Sequence, residues 1–391
     1  MLDFLTKRKV SPIAVDLGST AVRLMQIARD GDDLRVTASA EGRLDGPLPD
    51  DPTQRREALA GRISSLLKDA PFRGRSVLGA LPSHGIHIKN VRLARQDPDA
   101  MDEAVLAEAA ERFSFAIGPD QLRYINAGAV KDGTEVRDEI VMIATPAEVV
   151  EEHLATLRAA RLVPECIETE PTALFRAYER RLRRRSDAET VTVTIDVGES
   201  STRLVVAKGR HILFLKRIDI GGADLDEAVS QQLNLTVDEA HELRHQLMSK
   251  GDQPRPQRRT IDLDGEKDEA SQTYWAVYDG MREKAISLAR EISLCLRYCS
   301  VTFRGLRMDD ITLAGGQAHD EALVEVFTEH VGGRCEVGRP LQGIDVSSSE
   351  LQAERRGSLS EWSVCTGLAV RGLELFETPR EHGHAQHRLS A

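Results

Sequence analysis

Apolar residues cluster on both sides of Gly18 between Ile13 and Ile27, a pattern that predicts strand, tight turn and strand. Leu34–Ala40 reads as a third strand after a Gly-Asp-Asp turn, and Ser76–Leu81 as another. Between them Leu59, Ile63, Leu66 and Leu67 recur at helical spacing and predict a helix over Pro52–Ala70. From Ile86 the texture changes to strand, helix, two strands and helix (Ile86–Leu93, Asp99–Phe115, Tyr124–Val130, Glu139–Thr145, Ala147–Ala160), enough for a small inserted α/β subdomain. A helix over Thr172–Arg185 ends in a basic run. Strands Val191–Val197, Thr202–Ala207 and His211–Ile218 then open a second half. Its helices are expected at Gly222–Leu233, Thr236–Met248, Trp275–Tyr298, Glu321–His330 and Leu359–Leu375, with a short buried strand at Ile311–Ala314. Ser249–Ser271 reads as a charged loop and Glu377–Ala391 as a polar tail.

Composition narrows the function classes. The 391 residues carry a net charge of −11 and 4% aromatics, which argues against electrostatic capture of nucleic acid and leaves few stacking platforms. Apolar runs fall well short of the ~18 residues of a membrane span. Five scattered cysteines make a poor disulfide framework, and the chain start lacks a secretory h-region, so a cytoplasmic compartment is expected.

A repeat carries the chemistry. Ile13–Leu24 (IAVDLGSTAVRL) can be laid on Val193–Leu204 (VTIDVGESSTRL), so that Asp16 meets Asp196, Gly18 meets Gly198, Thr20 meets Ser200 and Arg23 meets Arg203. Glycine allows a tight turn whose consecutive N–H groups can cradle an anion. Ser19, Thr20, Ser200 and Ser201 can donate to phosphate oxygens. Asp16 and Asp196 would repel phosphate unless a cation intervenes, and Mg²⁺ suits one or two carboxylates plus phosphates, partly through water. Two ordinary hairpins with turn-capping aspartates would carry the same spacing. A third element, Ile311–Ala314 followed by Gly315 and Gly316, offers backbone that a flat ring can approach.

In this order the three elements resemble the actin-like ATPase superfamily, and within it the PilM family of type IV pilus assembly. The resemblance runs over nearly the whole chain: Met1–Lys9, Thr145–Val150 (TPAEVV), Ile167–Ala173 (IETEPTA), Ile218–Gly222 (IDIGG), Glu291–Tyr298 (EISLCLRY), Glu336–Ile344 (EVGRPLQGI) and Gly367–Gly372 (GLAVRG) also carry it. It implies two lobes, each a ribonuclease-H-like mixed sheet flanked by helices. The first lobe would take residues 1–85, an inserted subdomain 86–165, a connecting helix 166–189 and a return segment 344–376. The second lobe would be 190–343, with a helical part near 223–300, and 377–391 would be a tail. ATP with Mg²⁺ is implied in the interlobe cleft. Asp16, Gly18, Ser19, Thr20 and Arg23 fall on the first phosphate motif, Asp196, Gly198, Ser200 and Ser201 on the second, and Gly315, Gly316 and Gln317 on the adenosine motif. Gly221, Gly222 and Arg244 join the cofactor set, Asp16 and Asp196 the water-mediated metal set. Glu168 and Glu170 lie near where a water-activating group could sit or simply begin a helix.

The resemblance also implies a partner, the cytoplasmic N-terminal peptide of a bitopic PilN-like inner-membrane protein, docked beside the inserted subdomain, with the pilus assembly motor as a further contact. Some positions depart from the family pattern. Arg23 replaces a common Lys, Gln317 a frequent Gly, and His241 the acidic member of an acidic-then-basic pair whose basic member is Arg244. Slow or absent hydrolysis fits a scaffold. A small-molecule kinase would need a substrate-side base, for which no candidate stands out. An FtsA-like filament protein would need an amphipathic C-terminal helix, which Glu377–His384 does not supply. The run Arg180–Arg185 reads as a solvated helix end or a contact for a partner or anionic lipid, the Met1–Lys9 cluster as a weak accessory anchor or a loose end, and His382, His384 and His387 as part of the tail.

Overall fold

The structure is a computed structural model that describes residues 9–44, 46–248, 256, 269–308, 310–352 and 357–377. The expected N-terminal anchor, most of the Ser249–Ser271 loop and the histidine-bearing tail lie outside these residues. The chain divides into two compact units: one holds residues up to 190, 205–215 and from 339 onward, the other 191–204 and 216–338.

The first unit is built on a seven-stranded sheet. Its strands are Lys9–Val10 (β1), Ile13–Leu17 (β2), Ala21–Asp30 (β3), Asp33–Arg43 (β4), Ser76–Leu81 (β5), Val163–Thr169 (β9) and Ile344–Asp345 (β15), in the order β15-β4-β3-β2-β5-β9 with β1 on β3. β2 pairs antiparallel with β3 but parallel with β5, which is parallel to β9. The sheet is buried on both faces, which is why β2 lacks the alternation of a half-exposed strand. On one face lies Pro52–Asp69 (α1), started by Asp51, whose carboxylate accepts from the Gln54 N–H at 2.9 Å, and by Pro52 in the first turn. Its Leu59, Ile63 and Leu66 pack with Ile13, Val15, Val22 and Leu24, each such side chain contributing roughly 1.5–3 kcal/mol. The other face is covered by Ser363–Glu377 (α9), through Val364, Leu368 and Leu373, and by Ala173 of Glu170–Glu179 (α4).

The insert is a three-stranded antiparallel sheet, His87–Ala94 (β6), Leu122–Asp132 (β7) and Glu135–Ala144 (β8), ordered β6-β8-β7, with Pro98–Arg112 (α2) on one face. Its core of Val91, Met101, Val105, Tyr124, Ile140 and Met142 ends at Ala144. The next helix, Ala147–Ala159 (α3), sends Leu157 into the core of the large sheet instead.

In the second unit Val191–Val197 (β10), Asp310–Ala314 (β13) and Arg334–Val337 (β14) run parallel, within a sheet ordered β12-β11-β10-β13-β14 that includes the hairpin Thr202–Lys208 (β11) and His211–Ile218 (β12). The tip of that hairpin, residues 205–215, belongs to the first unit. Helices Gly222–Leu233 (α5), Val237–Met248 (α6), Glu269–Thr302 (α7) and Glu321–His330 (α8) complete this part of the chain. α5 stops at Asn234 in the left-handed region (φ 55°), and α6 starts on a Thr236–Glu239 capping box.

Two expectations need correction. The helix foreseen to Arg185 ends at Glu179, because the Arg181 and Leu182 N–H groups turn back to Tyr178 and Glu179 and Asp187 caps the Arg184 N–H at 2.8 Å. The strand β9 precedes it where only a lead-in to the helix was expected, since Val163–Thr169 carries just one fully buried residue to mark it.

One buried histidine makes the first unit acid-sensitive. His153 of α3 is 5% exposed, lies against Gly79, and is pulled from 6.5 to about 4 by burial. The neutral ring is the native form, so its contribution is complete above the unfolded value of 6.5 and is lost as pH falls toward 4. Denaturant melts at pH 7 and pH 5 should differ by about 2 kcal/mol from this residue alone, and a His153→Gln variant should show that much less acid dependence.

Candidate functional site

The second unit brings most of the predicted residues together. β10 ends in Asp196, which is 2% exposed and held between two neighbours. Arg203 places Nε 2.8 Å from its Oδ2. On the other side Gly315, with φ +86°, backs so closely that a Cβ there would lie 2.3 Å from Asp196 Oδ1. Any cation served by this carboxylate would therefore be reached through water and in competition with a guanidinium. Gly198 sits in a tight turn: its N–H donates to Ser201 O at 3.1 Å, and a Cβ would meet the Arg203 Nη2 at 2.9 Å and Ser201 O at 3.1 Å. The Ser200 hydroxyl is on the exposed tip, whereas Ser201 is buried.

Gly221 and Gly222 stitch α5 to this hairpin. The Gly222 N–H donates to Gly198 O and the Ala223 N–H to Glu199 O, both at 2.9 Å, while Asp224 caps the Gly221 N–H at 3.0 Å. These N–H groups are engaged by protein, so the glycines position the hairpin. Gly316 differs: a Cβ there would meet nothing within 4 Å, leaving its backbone open to approach. Beside it the Gln317 N–H donates to Val197 O at 3.2 Å and its side-chain amide to Glu199 Oε2 at 3.2 Å. Burial raises the Glu199 pKa, with the Asp226 charge adding to the rise.

Arg244 is the hub beneath. At 1% exposure its Nε donates to Asp226 Oδ1 at 2.6 Å, and Nη1 to Asp320 Oδ2 at 2.8 Å and Gln317 Oε1 at 2.9 Å, leaving Nη2 buried without an acceptor. His241 Nδ1 lies 2.7 Å from Asp226 Oδ2. The donor atoms of Glu199, Asp226 and His241 fall within 4.8 Å of one another, a carboxylate–imidazole set whose Asp226 oxygens are both already engaged.

In the first unit Asp16 faces Arg23 across the β2–β3 ladder and is 6% exposed. Gly18 again fills a turn that a Cβ would crowd, at 2.9 Å from Ala21 O. Ser19 and Thr20 form the exposed tip. Arg23 makes two contacts with Glu41, at 3.1 and 3.3 Å, and its guanidinium carbon stands 6.0 Å from the Trp362 ring centre. Its Nη1 also comes within 4.0 Å of where a Gly18 Cβ would sit, so the guanidinium lies beside the turn while paired with Glu41. Asp16 and Glu168 lie toward the carboxyl ends of β2 and β9, the two parallel strands that flank β5, since Val15 pairs with Gly79 and Ala80 with Glu168.

A family model described as type IV pilus assembly protein PilM matches residues 14–252, more than half of the sequence. The chain belongs to the PilM family. A chain of the "PilM-PilN type IV pilus biogenesis complex" is 24% identical with a TM-score of 0.71, over 94% of this chain and 98% of that one. The ethanolamine utilization protein EutJ from Carboxydothermus hydrogenoformans is 12% identical with a TM-score of 0.53, over 93% and 89%. Both likenesses concern the fold, which is that of the actin-like ATPases, as the sequence led us to expect.

The carboxylates considered for water activation in this PilM-family chain are engaged within the protein. Glu168 lies 3.2 Å from Arg371 and 3.5 Å from Arg176, with burial raising its pKa against the pull of both cations. Glu170 accepts from the Ser83 hydroxyl. Sequence reading passed over Glu41, Asp226 and Asp320. Only Asp320 carried a local signal, as the N-cap of α8 accepting from the Leu323 N–H at 3.1 Å.

Proposed function

We propose that this PilM-family chain is an ATP-binding scaffold of type IV pilus assembly in which bound nucleotide, with Mg²⁺, governs the presentation of a peptide-docking surface. The observation that carries the reading is the pairing of an open Gly316 backbone with a stitched acidic hairpin at the end of β10, in a chain whose family is established. Gly316 and Gln317 are proposed to take the adenosine part, Ser200 and the hairpin backbone the phosphates, and Asp196 the Mg²⁺ hydration shell. Asp16 to Arg23 is proposed as the second phosphate-binding element for the same nucleotide. Mg²⁺ would supply charge neutralisation of the polyphosphate. Glu168 and Glu170 are the proposed carboxylates for slow hydrolysis, and their internal partners favour a chain that holds ATP more than it turns it over.

The partner reading follows the solved relative, whose title pairs it with PilN. The cytoplasmic N-terminal peptide of a PilN-like inner-membrane protein is proposed to dock beside the β6–β8 sheet. Among the described residues no helix is long and apolar enough to cross a membrane, so such a peptide would be the route by which a cytoplasmic chain reaches the inner face of the membrane and the assembly motor.

Thermal melts test both halves of this reading. Saturating Mg·ATP, at about a hundred times its Kd, should add about 2.7 kcal/mol of stability, and a synthetic PilN-type peptide should add its own shift. Gly316→Val has room in the fold, so it should melt like the wild type, lose the ATP shift and keep the peptide shift. An ATP shift that survives in Gly316→Val would move the adenosine site elsewhere, and a peptide without any shift would remove the docking reading.

A further inference from the structure

The basic run after α4 is more than a solvated helix end. It lines a cavity of about 580 Å³ within the first unit, into which Arg29, Arg180, Arg183, Arg184, Arg185 and Arg210 all contribute. The lining also holds three carboxylates, and each already has partners. Glu179 is taken by Arg210 at 3.1 Å and Arg176 at 3.6 Å, Glu374 by Arg176 at 3.1 Å and Arg371 at 3.6 Å, and Asp187 by the Arg184 N–H. Six guanidiniums against three carboxylates leave a net positive lining on a chain whose net charge is −11.

The walls are built. The Arg183 Nε–H donates to Arg180 O at 3.0 Å, and Arg180 Nη2 to Pro340 O at 2.8 Å. Gly209, with φ +56°, presses against Ala188, where a Cβ would sit 2.7 Å from the carbonyl oxygen. Burial, and after it the adjacent Arg183 and Arg181 charges, pull Arg180 down to about 10.

We infer that this cavity is a binding site for a compact polyphosphate anion, distinct from the proposed nucleotide site. Arginine forks engage phosphate oxygens in bidentate pairs, and the volume matches a small ligand better than an extended chain. The same chemistry could be offered by a free polyphosphate or by the headgroup of an anionic phospholipid.

Calorimetric titration of the full chain with sodium tripolyphosphate, without Mg²⁺, tests the site, alongside flotation with cardiolipin-containing and with neutral phosphatidylcholine vesicles. The test variant is Arg184→Ala/Arg185→Ala, two exposed side chains whose loss should leave the melting point unchanged. Expected is tripolyphosphate or cardiolipin-vesicle binding that weakens at least about tenfold in the double variant, falls as salt rises from about 50 to about 300 mM, and persists in Gly316→Val. Tripolyphosphate binding identifies a free anion, and capture by cardiolipin vesicles alone identifies a headgroup. Binding of neither, binding indifferent to the arginine pair, or binding lost in Gly316→Val would overturn the assignment.

Discussion

Replacing Arg244 with Met should cost the second unit about 3–5 kcal/mol, the usual penalty for stranding a buried carboxylate. Asp226 and Asp320 are 1% and 3% exposed, and both rely on this guanidinium. Burial raises the Asp320 pKa, with Arg244 as the main opposing influence, so removing Arg244 would push that carboxyl further up. The two tryptophans give a direct readout, since Trp275 belongs to the second unit and Trp362 to the first. In a Trp362→Phe background, urea unfolding followed by Trp275 emission should shift to lower midpoint in Arg244→Met. Asp226→Asn/Asp320→Asn added to that variant should recover most of the loss. Failure to recover would mean that Arg244 acts through packing and not through its charge.

The second large effect is expected at Gly367. A Cβ there would fall 1.8 Å from Ala173 O, where α9 crosses α4 over the core of the large sheet. Overpacking of this kind costs 1–3 kcal/mol when side chains can yield, and here the obstacle is backbone; we expect more than about 3 kcal/mol for Gly367→Val. Trp362 emission should report loss of the cooperative transition of the first unit, while Trp275 emission retains that of the second. Gly372→Ala, whose Cβ would press Pro12 Cδ at 2.9 Å, should be much milder. A Gly367→Val chain that melts like the wild type would show that the two helices can slide apart freely.

Much of the fold was legible because the relevant signals are local. Apolar runs around Gly18 and Gly198 mark two hairpins, and both glycines sit in crowded turns, Gly18 against the backbone of Ala21 and Gly198 against Arg203 and Ser201. The alternation after Ile86 marks the strands of the insert, which form a sheet of their own, whereas α3, read with them from sequence, feeds a different core through Leu157. The short edge strands β14 and β15 left little trace, since Arg334–Val337 has no fully buried residue and β15 is two residues long. The site divides the same way. Asp196, Gly198 and Gly315 are readable from their motifs, whereas the Arg244 hub joins residues 18, 73 and 76 positions away in sequence. No periodicity encodes such a contact. The arginine run was only partly legible for a related reason: as letters it fits a helix end or a contact for a partner or anionic lipid, and only the turn at Asp187 and the arrival of Gly209 beside Ala188 make it a wall.

The helix that covers the large sheet also sets a schedule for synthesis. Cys365 of α9 reaches the carbonyl of Ala14 across 351 residues of chain, so the earliest strands leave the ribosome long before their lid exists. At ordinary elongation rates of about 5–20 residues per second, that delay is on the order of 20–70 s. During that interval the face of β2 and β3 that α9 will cover exposes its apolar surface. We expect the nascent chain to gain from holding chaperones until α9 emerges.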